Sequence, residues 1–337
     1  TTESFFPSWQ TMVTRSISQP AWLTGPAPES DVVLSSRVRL ARNLRGFNFP
    51  HHASADDLRQ VLARVEEAIA ALHLPMETVR TASMTERNFL VTARIISPDF
   101  ELGCPGRALL LDEDRLTSVL INEEDHLRIQ AVTAGSNLPV ARHAALYLAD
   151  RLARHLDFAS TPESGYLTAS PFNAGVAMRH SVLVHLIGLG YQGGLRPWLK
   201  RIQEAHLMLR GLYGEPSRAT GAIFQLSTIR DEDASFHRLF ADIVDAEREC
   251  RHRVSTDELA KLVASAIEFA TTRRSLRQSD ALRVLSWARW GADRGLPGLP
   301  SHRIVDERIA TLEASPLVQD QRGDRWRADV LRKFFST

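Results

Sequence analysis

The sequence predicts an α+β fold: an antiparallel β-sheet flanked by helices, followed by an all-α C-terminal domain. Short runs of strand-forming residues lie close together before residue 233, with turn residues between them, which favours antiparallel pairing. Helical periodicity interrupts these runs, and from residue 233 onward it dominates. A mixed segment followed by helices alone is typical of an α+β domain joined to a helical domain.

Residues 1–30 end in "GPAPES" and are predicted to form an N-terminal arm. Residues 31–42 alternate apolar and polar side chains, as a strand does, and Ser54 is placed to cap a helix over 55–72. Further strands are predicted at 88–96, 107–112, 116–122, 127–133, 165–168, 207–212 and 220–227. Further helices are predicted at 138–157, 173–187, 233–252, 255–272, 278–292, 301–314 and 324–335. The predicted division is an arm (1–30), a mixed domain (31–252) and a helical domain (255–337).

Composition excludes several classes of protein. The chain has 337 residues, 44% of them hydrophobic, and a net charge of +1. This balance argues against a dedicated nucleic-acid binder, which normally carries a basic excess. No apolar run approaches the roughly 20 residues of a membrane span, and the N-terminus lacks a signal-peptide pattern. Cys104 and Cys250 are far apart, and no metal-ligand spacing occurs. We expect a cytoplasmic protein without a disulfide framework, a metal site or a membrane partner.

One glycine pattern resembles a nucleotide-binding loop. The segment "GLGYQG", Gly188 to Gly193, has the spacing of a dinucleotide-binding turn. The surrounding βαβ unit is missing, and Pro197 lies where the receiving helix should begin. A helix that ends in a glycine turn explains the same residues more simply.

Five arginines suggest a polyanion site. They lie at predicted strand positions or early in the predicted helix 173–187: Arg37, Arg39, Arg128, Arg179 and Arg210. Arg37 and Arg39 are two apart on a strand, so they project from the same face. Arginine suits polyphosphate because its planar guanidinium binds oxygens bidentately and stays charged. Each arginine alone is most simply a solvated surface residue, and only convergence would give them a shared role.

A group of adjacent acidic residues suggests a site for a cationic ligand. The stretch "INEEDHLRIQ" places Glu123, Glu124 and Asp125 side by side after an apolar run. Glu124 and Glu215, from separate loops, would suit a guanidinium or an amine between them. A solvated turn is the simpler alternative, because exposed glutamate in loops is common.

Four segments together resemble the phosphagen (ATP:guanidino) kinases. These segments are "VVLSSRVRLARN", "NEEDHLRI", "GYLTASPFNAGVAMR" and "RGLYGE", in the order and spacing of that superfamily. Within it the chain looks like the bacterial protein arginine kinases. Creatine and free-arginine kinases carry an N-terminal helical domain before "SSRVR", whereas here that segment begins at residue 35 and a helical segment follows at 255–337. The resemblance covers about residues 31–250 well and the helical segment weakly.

The resemblance implies residue roles. Glu124 matches the catalytic carboxylate, and Glu123, Glu124 and Glu215 match the acids that bind the substrate guanidinium. The segments that bind ATP, with magnesium at its phosphates, are matched by Ser35, Ser36, Arg37, Val38, Arg39, Arg128, Arg179, His180, Ser181, Val182, Leu183, Arg210, Gly211, Leu212, Tyr213 and Gly214. Such acids can align a guanidinium with the γ-phosphate while arginines stabilise the developing negative charge.

The sequence also departs from the family pattern. Ser170 stands where the family has a reactive cysteine beside the substrate, and by that match it is predicted to be catalytic. Arg94 stands at a nucleotide-contacting histidine of the family, and by that match it is predicted to bind ATP. A glycine-threonine-glycine has become "GVA". In the helical segment, Asp324 and Arg327 match a phosphoarginine-binding motif whose first arginine is here Gly323.

The resemblance therefore implies an ATP-dependent kinase for arginine side chains of proteins, acting in stress response or protein quality control. Implied partners are proteins with exposed arginines, a transcriptional repressor, a zinc-containing activator, a Clp-type unfoldase and a second copy of the chain. Two alternatives stay open: a kinase for free arginine or another small guanidino compound, and a nucleotide-binding pseudokinase that acts as an adaptor.

Overall fold

The structure is a computed structural model that describes residues 20–25, 27–211, 220–229, 234–312 and 321–336. Its main feature is an eight-stranded sheet in which every described pairing is antiparallel. The strands of this sheet are β1 (Val33–Arg42), β2 (Met76–Val79), β3 (Ala108–Asp112), β4 (Thr117–Ile121), β5 (Leu127–Ala134), β8 (Met178–His185), β9 (Leu207–Gly211) and β10 (Ile223–Thr228). Their order across the sheet is β2-β3-β4-β5-β1-β8-β10-β9. A two-stranded hairpin, β6 (Ser160–Thr161) and β7 (Gly165–Tyr166), lies apart from it.

Helices surround this sheet and continue beyond it. They are α1 (Ala21–Thr24), α2 (Ala55–Ala71), α3 (Met84–Thr92), α4 (Leu138–Leu152), α5 (Ile187–Tyr191), α6 (Leu195–Glu204), α7 (Ala234–His252), α8 (Thr256–Thr272), α9 (Gln278–Asp293), α10 (His302–Thr311) and α11 (Gln321–Phe335). The predicted fold class is confirmed. Ser54 caps α2 through a capping box with Asp57, and Ser255 caps α8 by accepting the Glu258 N–H.

Two predicted elements are wrong. Residues 88–96 were expected to form a strand, but α3 spans Met84–Thr92, because Ser83 and Glu86 form a capping box that starts a helix. Residues 173–187 were expected to form a helix, but β8 is a central strand between β1 and β10. Both faces of β8 are covered, so its apolar run lacks the alternation that marks a half-buried strand. Gly188 to Gly193 lie in α5 and the turn after it, as the simpler explanation predicted.

The two faces of the sheet have different chemistry. On one face Val38, Leu40 and Val182 enter the largest apolar core, against α2, α4 and α7. On the other face the strands present polar and basic side chains toward one end, and apolar side chains such as Leu183 and Ile223 toward the other. Antiparallel pairing sets this division, because paired residues on neighbouring strands lie on the same face.

The C-terminal helices pack directly on the sheet. Leu34, Leu183 and Ile223 share an apolar cluster with residues of α8 to α11. A buried polar network reinforces the contact: Arg289 binds the Asp306 carboxylate at 2.6 Å and donates to the carbonyl of Asp31 at 2.7 Å. The boundary predicted between 252 and 255 coincides with the turn from α7 to α8, and the division into separate domains stays a prediction.

Candidate active site

Five arginines converge on the polar face of the sheet. Arg39 on β1 is paired with Arg179 on β8 and with Gln130 on β5, so their side chains lie on the same face. The register places Arg37 and Arg128 on the same face. Gln225 of β10 also lies on this face, and Arg210 is its partner on β9. All five line one cavity of about 470 Å³. The convergence that the sequence required for a shared role is therefore present.

A sixth arginine joins them from outside the sheet. Arg94 follows α3 with a left-handed backbone (φ 63°), and its guanidinium binds the Ser35 hydroxyl and the amide oxygen of Gln225. The same Gln225 oxygen accepts a hydrogen bond from Arg37 at 2.7 Å. Gln130 holds the turn that carries Arg94, because its side-chain amide donates to the carbonyl of Ile95 at 2.6 Å.

Crowding makes this cluster electrostatically costly. Burial, and then repulsion from Arg94, Arg128 and Arg179, lowers the pKa of Arg37 well below its usual value. The pKa of Arg39 is lowered in the same way, by burial first and by Arg37 next. Burial and the charge of Arg39 lower the pKa of Arg94 to about 9. A bound polyanion would relieve this repulsion, so the cluster is suited to phosphates.

Apolar residues also line the same cavity. Ile309 and Ala310 of α10, Trp22 of α1 and Leu183 of β8 all line it, and each is buried. The Trp22 indole N–H donates to the carbonyl of Ala93 at 2.9 Å, which ties α1 to the turn that carries Arg94. A cavity lined by both arginines and apolar side chains matches a ligand that has both a polyphosphate and an aromatic ring.

Two acids of the acidic turn at residues 123–125, Glu123 and Asp125, are bonded to neighbouring groups of the protein. Glu123 binds Arg128 at 2.5 Å and accepts hydrogen bonds from the Ser97 hydroxyl and the backbone N–H of Glu124. Asp125 is buried and accepts from the Asn43 amide and from the backbone N–H of Ala169, both at 2.7 Å. These two acids have structural partners.

His126 is also structural. Its Nδ1 accepts the backbone N–H of Leu44 at 3.0 Å, so Nε2 carries the proton and donates to the carbonyl of Asn48 at 2.9 Å. Burial lowers the pKa of His126, which keeps the ring neutral.

Glu124 differs from its neighbours. Its side chain is 46% exposed and lies 3.5 Å from Arg128 at the edge of the arginine cluster. It lines the 470 Å³ cavity, a second cavity of about 280 Å³ and a third of about 270 Å³ next to Arg179. Glu124 is therefore the carboxylate placed where ligands from different sides of the turn would meet.

Ser170 lies in the loop beside this carboxylate. Its carbonyl accepts from the Thr168 hydroxyl at 2.7 Å, and it precedes a single helical turn, Pro171–Asn173. The adjacent Ala169 is bonded to Asp125, which holds the loop against the acidic turn. Asn173 accepts a hydrogen bond from Arg179 at 2.9 Å. The predicted catalytic role of Ser170 stays a prediction.

Several predicted ATP-binding residues point away from the cavity. Val38, His180 and Val182 are fully buried and lie on the opposite face of the sheet, because they alternate with Arg37, Arg39 and their neighbours. Ser36 is also buried there and donates to the carbonyl of Gly135 at 2.7 Å. Ser35 and Ser181 face the arginines, since they bind Arg94 and Arg37. Gly211 and Leu183 line the cavity directly.

Leu212, Tyr213, Gly214 and Glu215 lie outside the described residues. The second predicted acid is therefore not placed, and its role stays a prediction.

The predicted phosphoarginine residues form an internal pair. Arg327 is 3% exposed, binds Asp324 at 2.6 Å one turn earlier in α11 and donates to the carbonyl of Leu276 at 3.1 Å. These contacts hold α11 against the segment before α9. The binding of phosphoarginine by Asp324 and Arg327 stays a prediction.

Sequence reasoning missed Gln225, Gln130, Trp22 and Ile309. Gln225 and Gln130 sit at positions of β10 and β5 that alternate with buried apolar residues, and this alternation was a usable signal. No local signal could place Trp22 or Ile309 in the cavity, because they come from distant parts of the chain.

Known proteins match most of this chain. Residues 56–233 match the family model described as ATP:guanido phosphotransferase, C-terminal catalytic domain. The protein-arginine kinase of Moorella thermoacetica is 37% identical over 309 residues, which cover 87% of this chain and 88% of that protein. The protein-arginine kinase of Symbiobacterium thermophilum is 32% identical over 326 residues, which cover 92% of each.

Solved structures agree in fold. Lombricine kinase aligns with a TM-score of 0.59 at 21% identity, covering 72% of this chain and 75% of that chain. The duplicated taurocyamine kinase of Schistosoma mansoni aligns with a TM-score of 0.58 at 23% identity, covering 69% of this chain and 36% of that one.

Proposed function

The chain belongs to the ATP:guanido phosphotransferase family, and on that premise we propose that it transfers the γ-phosphoryl group of ATP to arginine side chains of proteins. The observation that carries the proposal is a cluster of arginines around one cavity that ends at one half-exposed carboxylate, Glu124. The arginines fit the phosphates, and the carboxylate fits a guanidinium beside them.

The 470 Å³ cavity is the proposed binding site of the nucleotide. The apolar wall of Trp22, Ile309 and Ala310 would receive the base, and the arginines would receive the phosphates. Magnesium would enter as part of Mg·ATP, held by phosphate oxygens. In the described parts of the chain, no group of three or more acidic, histidine or cysteine side chains is arranged to hold a metal.

Glu124 is the proposed base that accepts a proton from the substrate guanidinium. A guanidinium has a pKa above 12 and is a poor nucleophile, so it must be held in line and lose a proton as it attacks. A guanidinium nitrogen forms the bond to the γ-phosphorus, the bond from that phosphorus to the bridging β,γ-oxygen breaks, and ADP leaves. The proton released from the nitrogen passes to the Glu124 carboxylate. Arg128 and Arg179 would stabilise the charge that spreads over the transferred group.

Relatives named protein-arginine kinase support a protein as the acceptor. Free arginine or another small guanidino compound is the alternative within the same reaction class. A nucleotide-binding adaptor without catalysis is the alternative outside it, and Ser170 in place of a reactive cysteine favours that reading, because a hydroxyl does not supply the negative charge of a thiolate.

The cellular role is proposed from the resemblance. We place the protein in the cytoplasm, in stress response or protein quality control, as a homodimer. A transcriptional repressor, a zinc-containing activator and a Clp-type unfoldase are its proposed partners. The two free cysteines, Cys104 and Cys250, are consistent with a reducing compartment. The described helices include none long and apolar enough to cross a bilayer.

Phosphorus NMR tests the reaction. An arginine-rich unfolded protein and free arginine are incubated separately with the enzyme and Mg·ATP, at neutral pH, and the products are then acidified. An acid-labile phosphoramidate on the protein, lost with Glu124→Gln, is the expected result. A signal on free arginine alone would select the small-molecule kinase. ATP binding without any phosphoramidate, even with cell extract added to supply an activator, would select the adaptor.

A further inference from the structure

The second cavity beside Glu124 has features that the proposed reaction does not use. It has a volume of about 280 Å³ and is lined by Pro50, Leu58, Arg107, Glu123, Glu124 and Ala169, among others. Its volume is at the lower end for ligand pockets, which suits one side chain and its neighbour better than a nucleotide. It shares Glu123 and Glu124 with the 470 Å³ cavity and none of that cavity's arginines.

One buried side chain fixes the walls of this cavity. Asn122 is 1% exposed and has a left-handed backbone (φ 57°). Its amide donates to the carbonyl of Leu58 at 2.9 Å and to that of Gly106 at 2.6 Å. Gly106 is so close to Leu58 that a Cβ added at Gly106 would lie 2.7 Å from the backbone carbonyl carbon of Leu58. The start of α2, the turn before β3 and the acidic turn are therefore clamped together.

Arg107 is held at this clamp. Its Nε donates to the carbonyl of Asn122 at 3.1 Å, and its guanidinium lies 5.9 Å from the ring centre of Phe100. Among the described residues it makes no ion pair with a carboxylate, and Glu123 is already bound to Arg128. Its two terminal nitrogens therefore remain available to a ligand in the cavity.

A cation beside a pocket for a guanidinium would repel a ligand that carries positive charge alone. The arrangement is favourable only when the ligand also carries an anion near its guanidinium. Resting on the function proposed above, we propose that Arg107 recognises a carboxylate that accompanies the substrate guanidinium. This carboxylate is either the side chain of an acidic residue next to the target arginine or the α-carboxylate of free arginine.

Two matched pairs of substrates test the inference and separate the sources. One pair consists of short blocked peptides that carry arginine next to either glutamate or glutamine. The other pair consists of L-arginine and agmatine, which lacks the carboxylate. The kcat/KM ratio within each pair is measured for the wild-type protein, Arg107→Gln, Arg107→Lys and the control Arg64→Gln, which changes an exposed arginine of α2.

We expect the wild-type protein to prefer the carboxylate-bearing member of at least one pair by about fivefold, the scale of a partly exposed ion pair. Arg107→Gln brings that ratio to about one, Arg107→Lys keeps most of it, and Arg64→Gln leaves it unchanged. The pair that responds identifies the source of the carboxylate.

Three results overturn the inference in distinguishable ways. Equal kcat/KM values within both pairs for the wild-type protein, or a preference that survives Arg107→Gln, would refute the role of Arg107 while phosphorylation itself stands. A lack of phosphorylation of all four compounds, while the arginine-rich unfolded protein is phosphorylated, would refute this inference alone, because a neighbouring carboxylate would then not suffice for recognition. A lack of phosphorylation of that protein as well would refute the proposed function and this inference with it.

Discussion

Glu123 and Glu124 are adjacent, and the same isosteric change in each should give opposite results. Glu124 is 46% exposed and lies 3.5 Å from Arg128, so removal of its charge should change the unfolding free energy by less than about 1 kcal/mol. Its loss as proton acceptor should lower kcat about 10²- to 10⁴-fold, which corresponds to about 3–5 kcal/mol of barrier. Glu124→Gln is therefore expected to be folded, to bind ATP and to be nearly inactive.

Glu123→Gln should have the converse effect. The Glu123 carboxylate is 14% exposed, binds Arg128 at 2.5 Å and accepts from Ser97 at 2.8 Å. A neutral amide keeps only part of this bonding and leaves Arg128 with the more distant, half-exposed Glu124 carboxylate, at 3.5 Å, as its counter-charge. The expected loss is about 1–3 kcal/mol of unfolding free energy, or several degrees in Tm, together with a higher KM for ATP.

Thermal unfolding and steady-state kinetics on both variants check the pair. ATP affinity of the inactive Glu124→Gln is measured by calorimetry, so that a loss of binding is not mistaken for a loss of chemistry. The reasoning is refuted if Glu124→Gln turns over at more than a tenth of the wild-type rate. It is also refuted if Glu123→Gln abolishes turnover with an unchanged Tm, because that would reverse the two roles.

The remaining predictions concern the arginine cluster, pH and backbone geometry. Gln225→Leu removes the oxygen shared by two arginines, so the KM for ATP should rise about tenfold, with the exposed Gln203→Leu as control; an unchanged KM would exclude this positioning role. Burial, and then two neighbouring arginines, lowers the pKa of His185 well below 6.5, so the unfolded state binds the proton first as pH falls. Chemical denaturation should show wild-type stability decreasing below pH 6.5 by up to about 1.4 kcal/mol per pH unit more than that of His185→Gln, and parallel slopes would contradict the assignment. Gly106→Ala should cost about 1–3 kcal/mol more than Gly46→Ala, since both glycines have positive φ and only Gly106 lies against backbone; equal Tm values would disprove the clash.

Local patterns in the sequence were sufficient for much of the sheet. The alternation in β1 placed Arg37 and Arg39 on one face, and Ser54 marked the start of α2, because side-chain alternation and capping depend on neighbouring residues only. The same local signals failed for β8, which is buried on both faces and has no alternation to read. For α3 a helix signal was present in the capping box, but the apolar run that follows it resembles a strand and was given more weight.

The chemistry of the site was predictable only as a set of residue types. Arginines and paired acids at these spacings indicated a polyanion and a cation as ligands, and the resemblance named the reaction. The resemblance singled out Glu124, but the residue types alone did not distinguish the adjacent acids, because their difference arises from their partners. Ser97 and Arg128 bind Glu123, and Asn43 and Ala169 bind Asp125.

The sequence by itself therefore determined the fold class, the strand that carries the first arginines and the charges that a ligand would meet. Tertiary structure alone decided that Glu124 is the acid left exposed, that Gln225 joins Arg37 to Arg94 and that α10 closes the cavity. The physical reason is that strand alternation and helix capping act within a few residues, whereas burial and charge pairing depend on groups that the fold brings together from far along the chain.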